Sequence, residues 1–152
     1  MYRQRLEVAL PEILERIRGA AGRVGRGADE VRVVGVTKGL PVEALEAALE
    51  MGLRDLGENR VEELEEKAAA VRSADVRWHM VGHVQRRRAP ALHELASLLH
   101  SLDSLRLAER LETTHPVGAG RLPVLVQVNV SGEPSKSGFG AEECLTALER
   151  LT

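Results

Sequence analysis

Apolar residues recur along the chain with two different spacings, and the two spacings alternate. Residues 1–19 carry Leu6, Leu10 and Ile17 at helical spacing with charged residues between them, which predicts an amphipathic helix. From Val31 onward, short apolar runs typical of buried strands are each followed by a segment with helical spacing. We predict strands at 31–38, 53–57, 76–81, 98–102 and 122–130, and helices at 41–51, 61–71, 85–95, 105–111 and 141–151.

A helix followed by five strand–helix units predicts an α/β fold with a parallel sheet and helices packed outside it. A doubly wound open sheet and a (β/α)8 TIM-type barrel both fit this order. Five units are too few to close a barrel, whose eight units need about 200 residues or more. An open sheet would leave the strand at 122–130 as a long apolar edge. We therefore predict a single barrel-type domain over residues 1–152 that lacks its C-terminal strands.

Composition and charge exclude several classes of function. The net charge is −2 and the only aromatic residues are Tyr2, Trp78 and Phe139, so base stacking on nucleic acid is disfavoured. No apolar run is long enough to cross a membrane, and the charged first helix does not resemble a secretory signal, so we expect a cytoplasmic protein. Cys144 is the only cysteine, which rules out an internal disulfide.

Lysine is scarce, since only Lys38, Lys67 and Lys136 are lysines among 21 basic residues. Unlike arginine, lysine can lose its proton and attack a carbonyl carbon. Lys38 ends the first predicted strand and lies on the same side of it as Val34 and Val36. Ligands bind at this C-terminal end of the strands in parallel α/β folds. We expect partial burial there to favour the uncharged amine, although a solvated ammonium is the alternative. Lys67 is expected only to support its helix through an ion pair with the glutamate four residues before it.

Three more polar stretches follow predicted strands and would lie at the same edge of the sheet. They are GENRVEE, WHMVGHVQ and NVSGEPSKSGFG. Asn59 can donate and accept hydrogen bonds, His79 can donate or stack, and the last stretch, with Ser137, offers hydroxyl and backbone donors. Asn59 could instead cap the following helix, and the last stretch could be an ordinary turn. His79 and His83 are four residues apart, but no carboxylate or cysteine is spaced to complete a metal site, so no metal is predicted.

Five motifs in order give a more specific indication: VGVTKGLP, GENRVEE, RWHMVGHVQ, HSLDSLRLAERL and VLVQVNVSGEPSKSGFG. Together they resemble the pyridoxal-phosphate homeostasis protein family over nearly the whole chain from Val31. The resemblance implies the alanine racemase N-terminal fold and a barrel that binds pyridoxal 5'-phosphate (PLP), with no established enzymatic activity. It also implies that Lys38 forms a Schiff base with PLP, that Asn59 and His79 line the cofactor pocket, and that Lys136 and Ser137 lie near its mouth.

The chain departs from the family pattern at two places. After the third strand it has His83, Val84 and Gln85 where family members usually have proline, leucine and glutamine, so this loop is expected to differ in shape. The serine, glycine and threonine residues that bind the phosphate in the family lie near the last strands, and this chain has no counterpart. We therefore expect it to hold PLP weakly.

Three hypotheses of function follow. The first is a PLP-binding protein of cytoplasmic vitamin B6 homeostasis, with PLP-dependent apo-enzymes as possible partners and a monomeric or weakly homo-oligomeric state. The second is a PLP-dependent racemase or decarboxylase, which needs a second acid or base opposite the lysine; in the alanine racemases a C-terminal domain supplies a tyrosine, and Tyr2 is the only one here. The third is an interaction module that dimerises through its exposed strand edge.

Overall fold

A computed structural model of the chain describes residues 1–71 and 75–151. A long first helix precedes a regular alternation of strands and helices, as predicted. The elements are α1 (Tyr2–Gly22), β1 (Gly35–Val36), α2 (Val42–Glu50), β2 (Asp55–Glu58), α3 (Val61–Ala70), β3 (Arg77–Met80), α4 (Leu92–Leu95), β4 (Leu98–Leu102), α5 (Leu105–Thr113), β5 (Val124–Val126), β6 (Val128–Asn129), β7 (Phe139–Gly140) and α6 (Glu143–Leu151), with 3-10 turns at Ala28–Glu30 and Arg86–Ala91.

The main sheet decides between the two predicted architectures. Its five strands are all parallel and stand in chain order, β1-β2-β3-β4-β5. A doubly wound sheet reverses its strand order at a switch point, whereas a (β/α)8 barrel adds each strand beside the one before it. The observed order is that of five consecutive barrel strands, and the predicted barrel-type α/β fold is confirmed.

One face of the sheet packs against the helices through large aliphatic side chains. Each of these side chains is fully buried, which contributes about 1.5–3 kcal/mol of hydrophobic stabilisation per residue. They are Leu45, Leu56, Leu64, Met80, Leu92, Leu99 and Leu107. Leu56, Met80 and Leu99 among them lie in strands, where successive residues face opposite sides of the sheet, so the same packing fixes which strand residues face the barrel interior.

Two predicted strands differ in extent from the observed ones. The strand predicted at 31–38 pairs only over Gly35–Val36, and its one neighbour within the described part of the chain is β2. The strand predicted at 122–130 divides at Gln127. Its N–H donates to Leu102 O of β4 at 2.9 Å, while its carbonyl accepts from the N–H of Phe139 at 2.9 Å. The chain therefore leaves the main sheet there, and β6 pairs with β7 in a separate two-stranded sheet.

The segment predicted as a helix at 85–95 is a 3-10 turn, Arg86–Ala91, followed by the short α4. Pro90 lies inside this turn and has no N–H to donate, so a regular α-helix cannot run through it. In the described part of the chain, no helix is both long and apolar enough to cross a membrane.

Candidate functional site

Lys38 lies just beyond β1, at the end of the strand where ligands bind in this architecture. Its neighbour Thr37 extends the pairing by one residue, donating its N–H to Gly57 O at 2.9 Å. The Lys38 side chain is exposed, and Val36 on the same face is 45% exposed, so the neighbouring valines do not enclose the amine. The expected partial burial of Lys38 is therefore wrong, and the alternative of a solvated side chain at the strand end is observed.

Lys67 is buried in α3, and its ammonium reaches towards Lys38's own strand. The predicted ion pair with Glu63 is present at 3.7 Å, but two contacts are shorter. Nζ donates to Oε1 of Glu58 and to the carbonyl oxygen of Thr37, each at 2.7 Å. The sequence interpretation missed these contacts. A glutamate inside a short buried strand could have indicated them, because a buried carboxylate needs a cationic or hydrogen-bonding partner.

The backbone of Gly39, the residue after Lys38, is held by a side chain of α3 as well. Glu63 Oε2 accepts the N–H of Gly39 at 3.0 Å, and this hydrogen bond is the main cause that holds the pKa of Glu63 below its usual value, with the charges of Lys67 and Arg60 acting in the same direction. Gly39 has a φ of 68°, a conformation that glycine adopts without strain. The backbone on both sides of Lys38 is thus fixed by carboxylates and a lysine of β2 and α3.

Asn59 follows β2 and is exposed. It does not cap the next helix, since the N-cap position of α3 is Arg60, without a side-chain cap bond. Asn59 instead lies against the loop after β3: a Cβ built on Gly82 would come within 2.2 Å of the Asn59 carbonyl oxygen and 2.4 Å of its Oδ1. The close approach of these two loops brings the GENRVEE and WHMVGHVQ motifs together.

His79 is buried in β3, and both of its ring nitrogens have protein partners. Nε2 lies 2.8 Å from Oδ1 of Asp55 and Nδ1 lies 2.8 Å from Nε2 of His100. Because an ionised carboxylate can only accept, the Nε2 of His79 donates to Asp55, and a neutral ring then accepts at Nδ1 from His100. No ring nitrogen of His79 is left for a ligand, and its predicted place in a cofactor pocket stays a prediction.

Asp55, the partner of His79, belongs to a charged cluster at the N-terminal end of the strands, opposite to Lys38. Arg77 binds it through two hydrogen bonds, of 2.9 and 2.5 Å, and these are the main cause of the lowered pKa of Asp55. Arg32 lies 3.7 Å from the same carboxylate. Burial lowers the pKa of His100, helped by the neighbouring His79.

Lys136 and Ser137 lie exposed in the loop between β6 and β7. Lys136 Nζ donates to Glu133 Oε1 at 2.7 Å, and the carbonyl of Ser137 accepts from Gln127 Nε2 at 2.9 Å. Asn129 closes the loop by donating to the carbonyl oxygens of Glu133 and Lys136. These bonds are internal to residues 127–137, and the predicted role of Lys136 and Ser137 at a cofactor-site mouth stays a prediction.

His83 and Asp103 contact each other across the loops after β3 and β4. Asp103 Oδ2 lies 2.7 Å from His83 Nδ1. The next residue, Ser104, caps α5, and its Oγ accepts the N–H of Leu107 at 3.3 Å. His83 and His79 therefore have separate carboxylate partners.

Comparison with known proteins agrees with this architecture. Residues 8–152 match the family described as "Alanine racemase, N-terminal domain". The pyridoxal phosphate homeostasis protein of Pseudomonas aeruginosa is 38% identical over 134 residues, which cover 88% of this chain and 58% of that protein. The protein of the same name in Escherichia coli K12 is 34% identical over 137 residues, with the same coverage. The chain thus spans somewhat more than half the length of these relatives.

Solved structures of related proteins are also similar to this chain. PipY from Synechococcus elongatus PCC7942, solved without PLP, has a TM-score of 0.74 and 32% identity, covering 88% of this chain and 62% of PipY. The structure of PipY with PLP bound has a TM-score of 0.69 at the same identity, covering 91% of this chain and 63% of PipY. These matches confirm the resemblance indicated by the five motifs, and the chain belongs to the alanine racemase N-terminal domain family as a relative of the pyridoxal phosphate homeostasis proteins.

Proposed function

We propose that this chain binds PLP and takes part in intracellular PLP homeostasis, with Lys38 as the point of attachment. The observation that carries the proposal is the position of Lys38, an exposed amine at the ligand-binding end of β1 whose two neighbours are held by hydrogen bonds. The PLP-bound structure of PipY, at 32% identity, supports the same choice of cofactor.

The chemistry needs only an amine and an aldehyde. In its uncharged form, Nζ of Lys38 attacks the aldehyde carbon; a carbon–nitrogen double bond forms and one water molecule leaves. Adding water reverses the step and restores the free amine and the aldehyde. Lys38 can therefore hold and release the cofactor without any net turnover, which suits a carrier that supplies PLP-dependent apo-enzymes.

The surroundings of Lys38 fit a flat aromatic ring with polar substituents. A Cβ on Gly57 would come within 3.2 to 3.4 Å of Val34, Val36 and Val81, so these valines converge over the glycine and form an apolar surface. Val36 lies two residues before Lys38, on the same side of the strand. A ring bound to Lys38 can lie on this surface, and the exposed Asn59 offers hydrogen bonds to its substituents.

The proposal includes weak binding by residues 1–152. In a (β/α)8 barrel the phosphate site is commonly built by the loops after strands 7 and 8, whereas the described residues form five barrel strands. We propose that residues 1–152 are a single barrel-type domain that supplies the lysine side of the site. The alternative of a racemase or decarboxylase would need a second acid or base opposite Lys38; Tyr2 lies in α1, which packs against α2.

The test is an absorbance titration with PLP, followed by borohydride reduction and peptide mapping. The wild-type chain should develop the visible band of a Schiff base, and the reduced label should map to Lys38. Lys38→Ala and Lys38→Arg should both lose the band, because neither side chain can form the carbon–nitrogen double bond. A band that survives in Lys38→Ala, or a wild-type chain that shows none, would overturn the proposal.

Two further variants sharpen this test. Arg121→Ala removes an exposed cation just before β5, at the opposite end of the strands from Lys38, and should leave the band unchanged. Lys136→Ala measures whether the second predicted lysine contributes: a weaker titration with the label still on Lys38 would place Lys136 at the cofactor site.

A further inference from the structure

We infer that Lys67 is a positioning residue for Lys38, which it serves by fixing the backbone from which Lys38 projects. The inference rests on the proposed function of Lys38 and deepens it. The Lys67 side chain is only 9% exposed, and its ammonium sits between β1 and β2. It donates to the Thr37 carbonyl and to Glu58 Oε1, so one buried charge joins α3 to the ends of two neighbouring strands.

Thr37, the residue before Lys38, is held by three groups. Its N–H donates to Gly57 O at 2.9 Å, its Oγ1 donates to Glu58 Oε1 at 2.5 Å, and its carbonyl accepts from Lys67 at 2.7 Å. Each bond comes from a different group, so Thr37 cannot rotate without breaking at least one of them. The direction in which the chain enters Lys38 is thereby fixed.

The residue after Lys38 is fixed as well. Gly39 donates its N–H to Glu63, and Leu40 donates its N–H back to the Thr37 carbonyl at 3.0 Å, which closes a tight turn around Lys38. Lys67 reaches both sides of this turn, because it contacts Thr37 directly and lies 3.7 Å from Glu63. Among the described residues, Lys38 itself makes no side-chain hydrogen bond or ion pair, which leaves its amine available.

Stability alone does not account for a buried ion pair at this point. A buried pair often stabilises a fold no more than apolar side chains of the same size. The side chain of Glu58 is completely buried, and its Oε2 has no hydrogen-bond partner in the described part of the chain, which is a further cost. The Lys67–Glu58 pair instead fixes the backbone geometry next to Lys38.

The experiment separates positioning from stability by using three variants of the full chain. Lys67→Met keeps the length of the side chain but leaves Glu58 buried without its cation. Lys67→Met combined with Glu58→Gln leaves no unpaired buried charge and should be more stable than Lys67→Met alone, yet it still lacks the donor to the Thr37 carbonyl. Arg88→Met is the matched control, because it removes the ion pairs of Arg88 with Glu62 and Glu65 on the same helix α3.

The first readout is the initial rate at which PLP and borohydride label Lys38, compared with the urea midpoint of each variant. We expect both Lys67 variants to label about ten- to hundredfold more slowly, the size of effect that a misplaced reacting group produces. Arg88→Met should label at the wild-type rate even if it is less stable. A double variant that regains both its midpoint and its labelling rate would overturn the inference, since Lys67 would then be merely structural.

The second readout needs no PLP. Amide hydrogen exchange of residues 37–40 should become faster in both Lys67 variants and stay unchanged in Arg88→Met, because the Gly39 and Leu40 amides depend on this turn. If the wild-type chain takes no label at Lys38, the proposed function fails, and the exchange rates alone decide whether Lys67 holds the turn. Unchanged exchange would overturn the inference, and so would faster exchange with wild-type labelling.

Discussion

Substituting Gly82 by alanine should destabilise the fold by forcing apart the loops after β2 and β3. The added Cβ would stand 2.2 Å from the carbonyl oxygen of Asn59, whereas ordinary van der Waals contact begins at 3.4 Å, so the shortfall is 1.2 Å. The contact is with a backbone atom, which no change of rotamer can move away. The loop that carries Asn59 must therefore shift as a whole.

The expected loss of stability can be estimated from the known effect of overpacking. Inserting a methyl group into a well-packed place typically costs about 1–3 kcal/mol. With a urea dependence of about 2 kcal/mol per molar, the unfolding midpoint should fall by about 0.5–1.5 M. Trp78 is the only tryptophan and is 6% exposed in β3, so its fluorescence reports the transition directly.

Gly120→Ala is the matched control, because a Cβ at Gly120 would meet no atom within 4 Å. Its midpoint should stay close to that of the wild-type chain. Equal midpoints for Gly82→Ala, Gly120→Ala and the wild type would refute the reasoning, since the close approach of Gly82 to Asn59 would then have no energetic consequence.

Two further predictions concern the charged cluster and a helix cap. The folded-state pKa values of His100, Glu63 and Asp55 are lowered from their usual 6.5, 4.5 and 3.8, so the unfolded chain binds more protons. The free energy of unfolding should therefore decrease as the pH is lowered, first below 6.5 for His100 and again below 4.5 for the two carboxylates. Urea midpoints measured across this range test the sign, and His100→Gln should remove the first decline; midpoints that rise on acidification would contradict the assignment. Ser104→Ala removes the acceptor for the N–H of Leu107 and should cost about 1 kcal/mol in thermal or urea unfolding, whereas Ser131→Ala in an exposed loop should cost much less.

The alternation of elements could be predicted from the sequence because each element carries its own periodicity. The extents of β1 and β5 could not, because pairing depends on a neighbour as well as on local pattern. Apolar alternation continues from Val31 to Lys38, but only Gly35–Val36 pairs as a strand with β2. In the same way Gln127 fits a continuous strand in the sequence, and only its bonds to two different sheets reveal the break.

The position of Lys38 at a strand end could be predicted from the sequence, and the contacts around it less so. Position at a strand end, the scarcity of lysine and the matched motifs at the other strand ends together select Lys38 as the candidate, whereas its exposure depends on what covers the strand face. Lys67 was interpreted through its helical neighbour Glu63, because spacing along a helix can be read from the sequence. Its contacts with Glu58 and Thr37 join three elements, and such contacts become visible only once the fold is known.

The strict chain order of the main sheet also bears on how the protein folds. Paired residues lie 21 positions apart between Gly35 and Leu56 and 25 apart between Leu99 and Val124. Within the described residues, each strand of this sheet pairs only with strands that are next to it in the chain. Short loop closures carry a small entropic cost and favour fast folding. Each strand–helix unit can therefore dock on the unit made just before it, so a chain leaving the ribosome can extend its sheet in the direction of synthesis.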